Sequence, residues 1–241
     1  MTDRALTILV HGLSKAGKST LAVTAPAPRL YMDVESASRF LPIRRKMWDP
    51  ATEAPPEDDG TWDTCVVPTR DWEAVQKAYQ WLASGKHPFK SFIIDSISEL
   101  QQRYIEKAAG RQQASQQQWG EVFREVAGLI RDIRDLTLIP NSNLESVVLT
   151  AMTKHVDGMW RPWVQGQLMA VMPYLLDVVG YLYVEQVQND LTFETTEVRR
   201  LLTRRTNEYE AGERVGGRLP MVVDDPNIEQ MIIDIFGPRP E

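Results

Sequence analysis

The stretch "ALTILVHGLSKAGKST" occupies residues 5–20 and decides the fold. Its first six residues form an apolar run of the kind that makes a buried strand. Two glycines and two lysines follow in "HGLSKAGK", and "KSTLAVTA" (18–25) predicts a helix. A buried strand, a glycine-flanked loop and a helix in this order predict a loop whose backbone holds a ligand at the end of the strand.

The loop fits the pattern G-x-x-x-x-G-K-[S/T], which is the phosphate-binding loop. Its glycines allow backbone N–H groups to converge on phosphate oxygens. We expect Lys18 to neutralise the β- and γ-phosphates and the Ser19 hydroxyl to ligate Mg²⁺. The alternative is an ordinary strand–turn–helix. The predicted nucleotide-binding residues are Gly12, Leu13, Ser14, Lys15, Ala16, Gly17, Lys18, Ser19 and Thr20.

Acidic residues end two further apolar runs. "SFIID" (91–95) places Asp95 where a carboxylate can hold Mg²⁺, directly or through water. The alternative for Asp95 is a helix N-cap. "RLYMDVE" (29–35) ends with two acids, of which Glu35 is the candidate to polarise an attacking water and Asp33 the candidate to cap or orient. Both acids could also be plain solvent-facing residues.

The composition narrows the class of protein. The 241 residues are 43% hydrophobic and 25% charged, which suits one substantial core. One cysteine and three scattered histidines argue against a disulfide framework and a His/Cys metal site. The net charge of −6 argues against a protein that coats polyanions over its whole surface. Charge is nevertheless uneven, since residues 199–218 hold six arginines against three glutamates.

Strand and helix patterns alternate along the first 152 residues, which predicts an α/β fold with a mostly parallel central sheet flanked by helices. An irregular acidic insertion is expected over 48–63. Beyond Met152 we expect an irregular segment (153–166), a helix interrupted by Pro173, and late antiparallel strands over 178–187 and 196–205. The whole chain, 1–241, is expected to form one domain.

Together these motifs make the chain resemble the RecA-like core P-loop ATPases. "YMDVESASRF" is similar to that family's strand ending in Asp-x-Glu, which assigns the catalytic acid to Glu35. "FIIDSISEL" is similar to its metal-binding strand, and "VVLTAM" to the strand that ends in a polar sensor. Thr150 is the best match to the sensor, with Thr153 as the second choice.

The layout also resembles the small phage single-strand annealing ATPases, the Sak-type or RadB-like group. "LLDVVGYLYVEQ" and "YEAGERVGGRLP" are similar to later signatures of this group. The second normally carries Lys-x-Arg, which reaches the γ-phosphate of the neighbouring subunit. Arg214 matches the arginine, and Gly212 stands where the group has lysine.

In that family two loops line a path for single-stranded DNA. The matching segments are residues 110–120 and 153–167. Cations interleaved with aromatic rings suit phosphate contact and base stacking. The alternative is that the tryptophans pack against the core or a neighbour. The predicted DNA-binding residues are Lys154, His155, Trp160, Arg161 and Trp163.

The resemblance implies an ATPase, with ATP and Mg²⁺ as cofactors, that acts on single-stranded DNA in phage recombination and is stimulated by that DNA. It implies a homo-oligomer, ring or filament, with ATP at subunit interfaces, and single-strand binding protein as a further partner. The apolar runs are too short for a membrane span, and the expected location is the cytoplasm of an infected bacterial host. A nucleotide-gated binding module with little hydrolysis and a P-loop kinase are the alternatives.

Overall fold

Strand β1 (Leu6–Gly12) is buried along its whole length and lies in the middle of an eleven-stranded sheet. The computed structural model describes residues 4–110, 112–139, 142–188 and 195–239. Side chains of β1 alternate between two apolar clusters: Leu9 packs on one face, whereas Ile8 and Val10 pack on the other. A strand buried on both faces belongs to a sheet covered by helices on both sides.

The strands and helices are as follows. The remaining strands are β2 (Arg29–Asp33), β3 (Arg45–Met47), β4 (Thr64–Pro68), β5 (Ser91–Asp95), β6 (Ser146–Val156), β7 (Met159–Pro162), β8 (Val178–Gln188), β9 (Thr195–Leu202), β10 (Gly212–Glu213) and β11 (Val222–Asp224). The α-helices are α1 (Lys18–Ala22), α2 (Trp72–Ala83), α3 (Ile97–Ala109), α4 (Gln116–Asp135), α5 (Leu168–Leu175) and α6 (Ile228–Phe236).

The sheet order is β11-β9-β8-β1-β6-β5-β2-β4-β3. The seven strands from β8 to β3 run parallel to one another, whereas β9 and β11 are antiparallel to their neighbours. The predicted fold class, a mostly parallel sheet with late antiparallel strands, is confirmed. Because β1, β2, β5 and β6 are parallel, their carboxyl ends meet at one edge of the sheet, which we call the carboxyl edge. The opposite end of the same strands is the amino edge.

Helices cover both faces of the sheet. One apolar cluster holds side chains of α2, α3, α4 and α5, and the other holds side chains of α1 and α6. The segment 48–63 contains neither helix nor strand, and it is anchored by Trp48 and Trp62, which are both buried against Phe89. None of the helices in the described ranges has the length and apolar character that a membrane span requires.

Two expectations about secondary structure were wrong. The segment 153–166 is not irregular throughout, because β6 continues to Val156 and turns back into β7. The turn residues Asp157 and Gly158 both have positive φ, 50° and 79°, as a two-residue hairpin turn requires. Helix α5 also runs through Pro173 without a break.

Candidate nucleotide site

The phosphate loop leaves β1 at the carboxyl edge and enters α1 at Lys18. Two backbone features make its glycines necessary. A Cβ atom on Gly12 would lie 2.3 Å from the carbonyl oxygen of Leu182 on β8, so only glycine fits there. Gly17 has a φ of 98°, in the left-handed region where glycine is favoured. The N–H groups of the first turn of α1 have no partner within the helix and are available to an anion.

Lys18 is folded back onto its own loop. Its Nζ donates hydrogen bonds to the carbonyl oxygens of Gly12 at 3.0 Å and Leu13 at 2.9 Å. Burial lowers the pKa of Lys18, and the negative charges of Glu35 and Asp95 oppose that shift. An ammonium group held by two neutral carbonyls gains from a fully charged acceptor, because hydrogen bonds between ions are the stronger ones.

Asp95 is buried at the end of β5 and accepts hydrogen bonds from two hydroxyls. Tyr31 Oη donates to its Oδ2, and Thr150 Oγ1 donates to its Oδ1. Burial raises the pKa of Tyr31, with a further increase from the charge of Asp95, and the Ser19 side chain acts in the opposite direction. Tyr31 therefore connects Asp95 and Ser19. Their hydroxyl and carboxylate oxygens are hard donors that fit Mg²⁺.

The two acids after β2 differ in their surroundings. Asp33 is buried and accepts hydrogen bonds from the N–H groups of Ala37 at 2.9 Å and Ser38 at 3.2 Å, so it orders the turn that follows. Glu35 is exposed and accepts a hydrogen bond from the Ser96 hydroxyl. Ser96 also caps α3, so the helix-capping role considered for Asp95 belongs to its neighbour.

These groups line one cleft of about 510 Å³. It brings together the phosphate loop, Glu35 and Asp95, as the strand ends predicted. Thr150 reaches the cleft only through Asp95, whereas Thr153, the second choice for the sensor, lines it. The rim is apolar, with Phe40 and Trp163 exposed to 79% and 38%. The cleft can therefore hold a polyanion along its floor and an apolar group at its rim.

Tyr31 and Arg199 belong to this site but were absent from the sequence-based prediction. Tyr31 lies inside β2, and its apolar strand pattern gave no sign that its hydroxyl faces Asp95. Arg199 lies on β9, more than 150 residues beyond the loop in the chain, yet it lines the same cleft. The arginine-rich composition of 199–218 was visible, but only the sheet pairing selects Arg199 from that run.

The predicted DNA-binding residues separate into two groups. Lys154, His155 and Trp163 are exposed, and Lys154 Nζ lies 5.5 Å from the Trp163 ring centre. Trp160 and Arg161 are partly buried: Trp160 contacts the His155 ring, and Arg161 Nη1 lies 3.6 Å from a carboxylate oxygen of Glu210. All five belong to the β6–β7 hairpin or to the residue just after it, so the hairpin replaces the expected loop over 153–162, whereas 163–167 contain no helix or strand.

The other predicted loop, 110–120, is partly helical. Ser115 and Gln118 form a reciprocal capping box, and α4 begins at Gln116. Residue 111 lies outside the described residues.

Arg214 lies away from the cleft of its own chain. Its Nε donates to Asp177 Oδ1 at 2.8 Å, and Asp177 in turn accepts from the N–H of Thr7 at 2.9 Å. Thr7 is near the start of β1, so Arg214 is at the amino edge of the sheet. Arg214 does not line the cleft that holds the phosphate loop.

Comparison with known proteins supplies a family. A family model described as an AAA domain matches residues 4–215. Among 177 matching chains of solved structures, one is described as "Structural and biochemical analysis of a prototypical ATPase from the type III secretion system of pathogenic bacteria". Its identity is 16% and its TM-score 0.46; the match covers 73% of this chain and 52% of that chain, so this chain spans about half its length. No curated protein matches.

Proposed function

The chain belongs to the AAA domain family, so it is a P-loop ATPase domain, and from that premise we propose an ATP-hydrolysing protein that acts on single-stranded DNA in phage recombination. The observation that carries the proposal is the cleft at the carboxyl edge, which gathers Lys18, Ser19, Asp95 and Glu35. These side chains supply a cation for phosphate, oxygen donors for a metal ion, and a carboxylate for water.

Each residue has a distinct task in the proposed hydrolysis. Lys18 exchanges its two carbonyl partners for phosphate oxygens. Burial lowers the pKa of Lys18, but the negative charge of a nearby phosphate favours the ammonium form, so Lys18 still binds as a cation. Ser19 and Asp95 would hold Mg²⁺, and the bound ion would neutralise negative charge that develops on the phosphates. Glu35, positioned by Ser96, orients the attacking water and accepts its proton.

The β6–β7 hairpin is the proposed contact for DNA. Lys154 and His155 are exposed on it, and Trp163 follows it with its ring near Lys154. A cation beside an exposed aromatic ring suits the backbone and bases of a single strand without sequence preference. The net charge of −6 confines such contact to a local surface of this kind.

Arg214 and a neighbouring copy complete the proposal. In a homo-oligomer, ring or filament, the amino edge of one subunit would approach the nucleotide of the next, and Arg214 would leave Asp177 to stabilise the transition state. Gly212 in place of a second cation leaves Arg214 to act alone. Single-strand binding protein is the further proposed partner.

The test is ATP turnover with and without single-stranded DNA. We expect DNA to stimulate turnover in the wild type, and Lys18→Ala to abolish both nucleotide binding and turnover. Unchanged ATP affinity in Lys18→Ala would refute the phosphate-loop assignment. A Lys154→Ala/His155→Ala double variant should keep basal turnover and lose the stimulation, because neither residue lines the nucleotide cleft. Stimulation that persists in it would refute the hairpin as the DNA contact.

One observation favours a second candidate. Glu35 is exposed and already accepts a hydrogen bond from Ser96, which suits a nucleotide-gated binding module that hydrolyses slowly. Tight ATP binding without turnover, whether or not DNA is present, would select that function. A phosphorylated product would instead select the P-loop kinase.

A further inference from the structure

The arginine-rich run 199–218 contains one arginine that differs from the rest. Five of its six arginines have partners within the chain. These pairs are Arg200 with Glu185 and Asp224, Arg204 with Glu213, Arg205 with the Met159 sulfur, Arg214 with Asp177, and Arg218 with the Ile235 carbonyl. For the Arg199 side chain, the described part of the chain provides no hydrogen bond and no ion pair. Arg199 is also exposed.

Sheet register determines where Arg199 points. It is paired with Val184 on β8, two residues beyond the Leu182–Leu201 pair. Leu182 and Leu201 both belong to the apolar cluster under α1, and residues two apart on a strand share a face. Arg199 therefore extends over the same face as α1, at the carboxyl edge. Arg200, one residue along, points to the opposite face.

Arg199 rests on the phosphate loop itself. A Cβ atom placed on Gly17 would lie 2.8 Å from Arg199 Nε and 3.2 Å from its Cδ. The guanidinium group therefore covers the loop glycine directly before Lys18. It lines the cleft together with Lys15, Lys18 and Thr20. Among the described residues no carboxylate forms an ion pair with Arg199, so its charge is not neutralised at this position.

The charges around the cleft indicate what Arg199 binds. Three cations, Lys15, Lys18 and Arg199, line the cleft beside two carboxylates, Glu35 and Asp95, so the cations outnumber the carboxylates. A guanidinium group offers several donors in a planar fork that matches two phosphate oxygens at once. A ligand with several phosphate groups satisfies all three cations.

We propose that Arg199 is a nucleotide-binding residue that contacts the phosphate chain in cis, from the same subunit as the phosphate loop. This inference rests on the proposed function and adds a ligand contact to it. It separates two arginine roles: Arg199 strengthens binding within one subunit, whereas Arg214 requires a neighbour. Nucleotide affinity should therefore depend on Arg199 at protein concentrations where the chain is monomeric.

The experiment is a calorimetric titration of dilute protein with Mg-ATP and, separately, with inorganic tripolyphosphate. The variants are Arg199→Ala, Arg199→Lys and, as a matched control from the same strand, Arg200→Ala. A thermal unfolding curve for each variant checks that the fold is retained. Lys18→Ala tests the proposed function in the same titration, since a wild type and a Lys18→Ala variant that bind ATP equally would reject the phosphate loop itself.

We expect Arg199→Ala to weaken binding of both ligands roughly 10- to 100-fold, the effect of losing hydrogen bonds between charged groups. Arg199→Lys should be intermediate, because it keeps the charge and loses the fork. Arg200→Ala should bind like the wild type. If Arg199→Ala binds both ligands normally while Lys18→Ala does not, the inference fails and the proposed function stands. Weaker binding of ATP but normal binding of tripolyphosphate would also overturn it, since the contact would then be to the nucleoside.

Discussion

The two edges of the sheet use the same kinds of side chain differently. At the amino edge, Asp177 accepts hydrogen bonds from Thr7 N–H, Thr7 Oγ1 and Arg214, so its charge is satisfied within the chain. At the carboxyl edge, Lys18 has only carbonyl partners and the Arg199 side chain has none among the described residues. A satisfied charge stabilises the fold, whereas charges without an ionic partner stabilise a bound ligand.

The largest effect should come from Glu35 at the carboxyl edge. We expect Glu35→Gln to lower ATP turnover by roughly 100-fold or more, because the amide cannot accept the proton of the attacking water. Its oxygen can still accept the hydrogen bond from Ser96, so ATP affinity and thermal stability should stay at the wild-type level. Steady-state turnover and calorimetry measure the two quantities. Normal turnover in Glu35→Gln would remove this residue from the chemistry.

The next effect concerns His11, which is buried where β1 reaches the carboxyl edge. Its Nε2 donates to the Glu210 carbonyl at 2.6 Å, and burial lowers the pKa of His11 to about 4. The unfolded chain therefore protonates His11 more readily than the folded chain does. The contribution of neutral His11 to the free energy of unfolding is complete above pH 6.5 and is lost as the pH falls from 6.5 to about 4. The expected loss is about 3 kcal/mol.

Chemical denaturation between pH 7.5 and 4 measures this loss. His11→Gln keeps a side-chain N–H for the Glu210 carbonyl and cannot titrate, so it is the matched control. The difference in unfolding free energy between wild type and variant should change across the window. A constant difference would show that His11 does not titrate there.

Substitution of Asp177 tests whether the polar groups of the amino edge stabilise the fold without affecting ATP binding. Asp177→Ala removes the acceptor for Thr7 and Arg214, and we expect the free energy of unfolding to fall by about 2 kcal/mol. Dilute-protein affinity for ATP should not change, because Asp177 is far from the cleft. Asp177→Asn keeps one acceptor oxygen and should lose less. A large drop in ATP affinity for Asp177→Ala would mean that the two edges are not independent.

Tyr31 should give the smallest effect. Tyr31→Phe removes one of the two hydroxyl hydrogen bonds to Asp95, so the carboxylate is held less firmly. We expect the Mg²⁺ concentration needed for half-maximal turnover to rise roughly fivefold. Tyr79→Phe on α2 is the control. A lower Mg²⁺ requirement in Tyr31→Phe would show that the tyrosine competes with the metal.

The sequence predicted local features better than distant ones. The phosphate loop and the acidic strand ends depend on residues close in the chain, and the structure has the strand, loop and helix where they were expected. Two local signals were nevertheless overlooked: Asp157–Gly158 is a hairpin turn pair, and Ser115 with Gln118 is a capping pair.

Contacts between residues far apart in the chain left no such signal in the sequence. Arg199 reaches the phosphate loop because β9 pairs with β8, which pairs with β1. The segment before β9, residues 189–194, lies outside the described residues, and the register of β9 is set by its cross-strand partners rather than by any motif. Composition therefore identified the arginine-rich run, and only tertiary structure distinguishes its members.

The length of β6 has a mechanical consequence. Within the sheet this strand carries Thr150, which holds Asp95, and it then projects past the sheet edge to Val156. Six residues of extended chain span about 20 Å, which is the distance from Thr150 to the hairpin turn. A rotation of β6 by roughly 5° about Thr150 would move the hairpin tip by about 2 Å. A rotation of that size beside Asp95 would thus become a displacement comparable to an atomic radius at the hairpin tip.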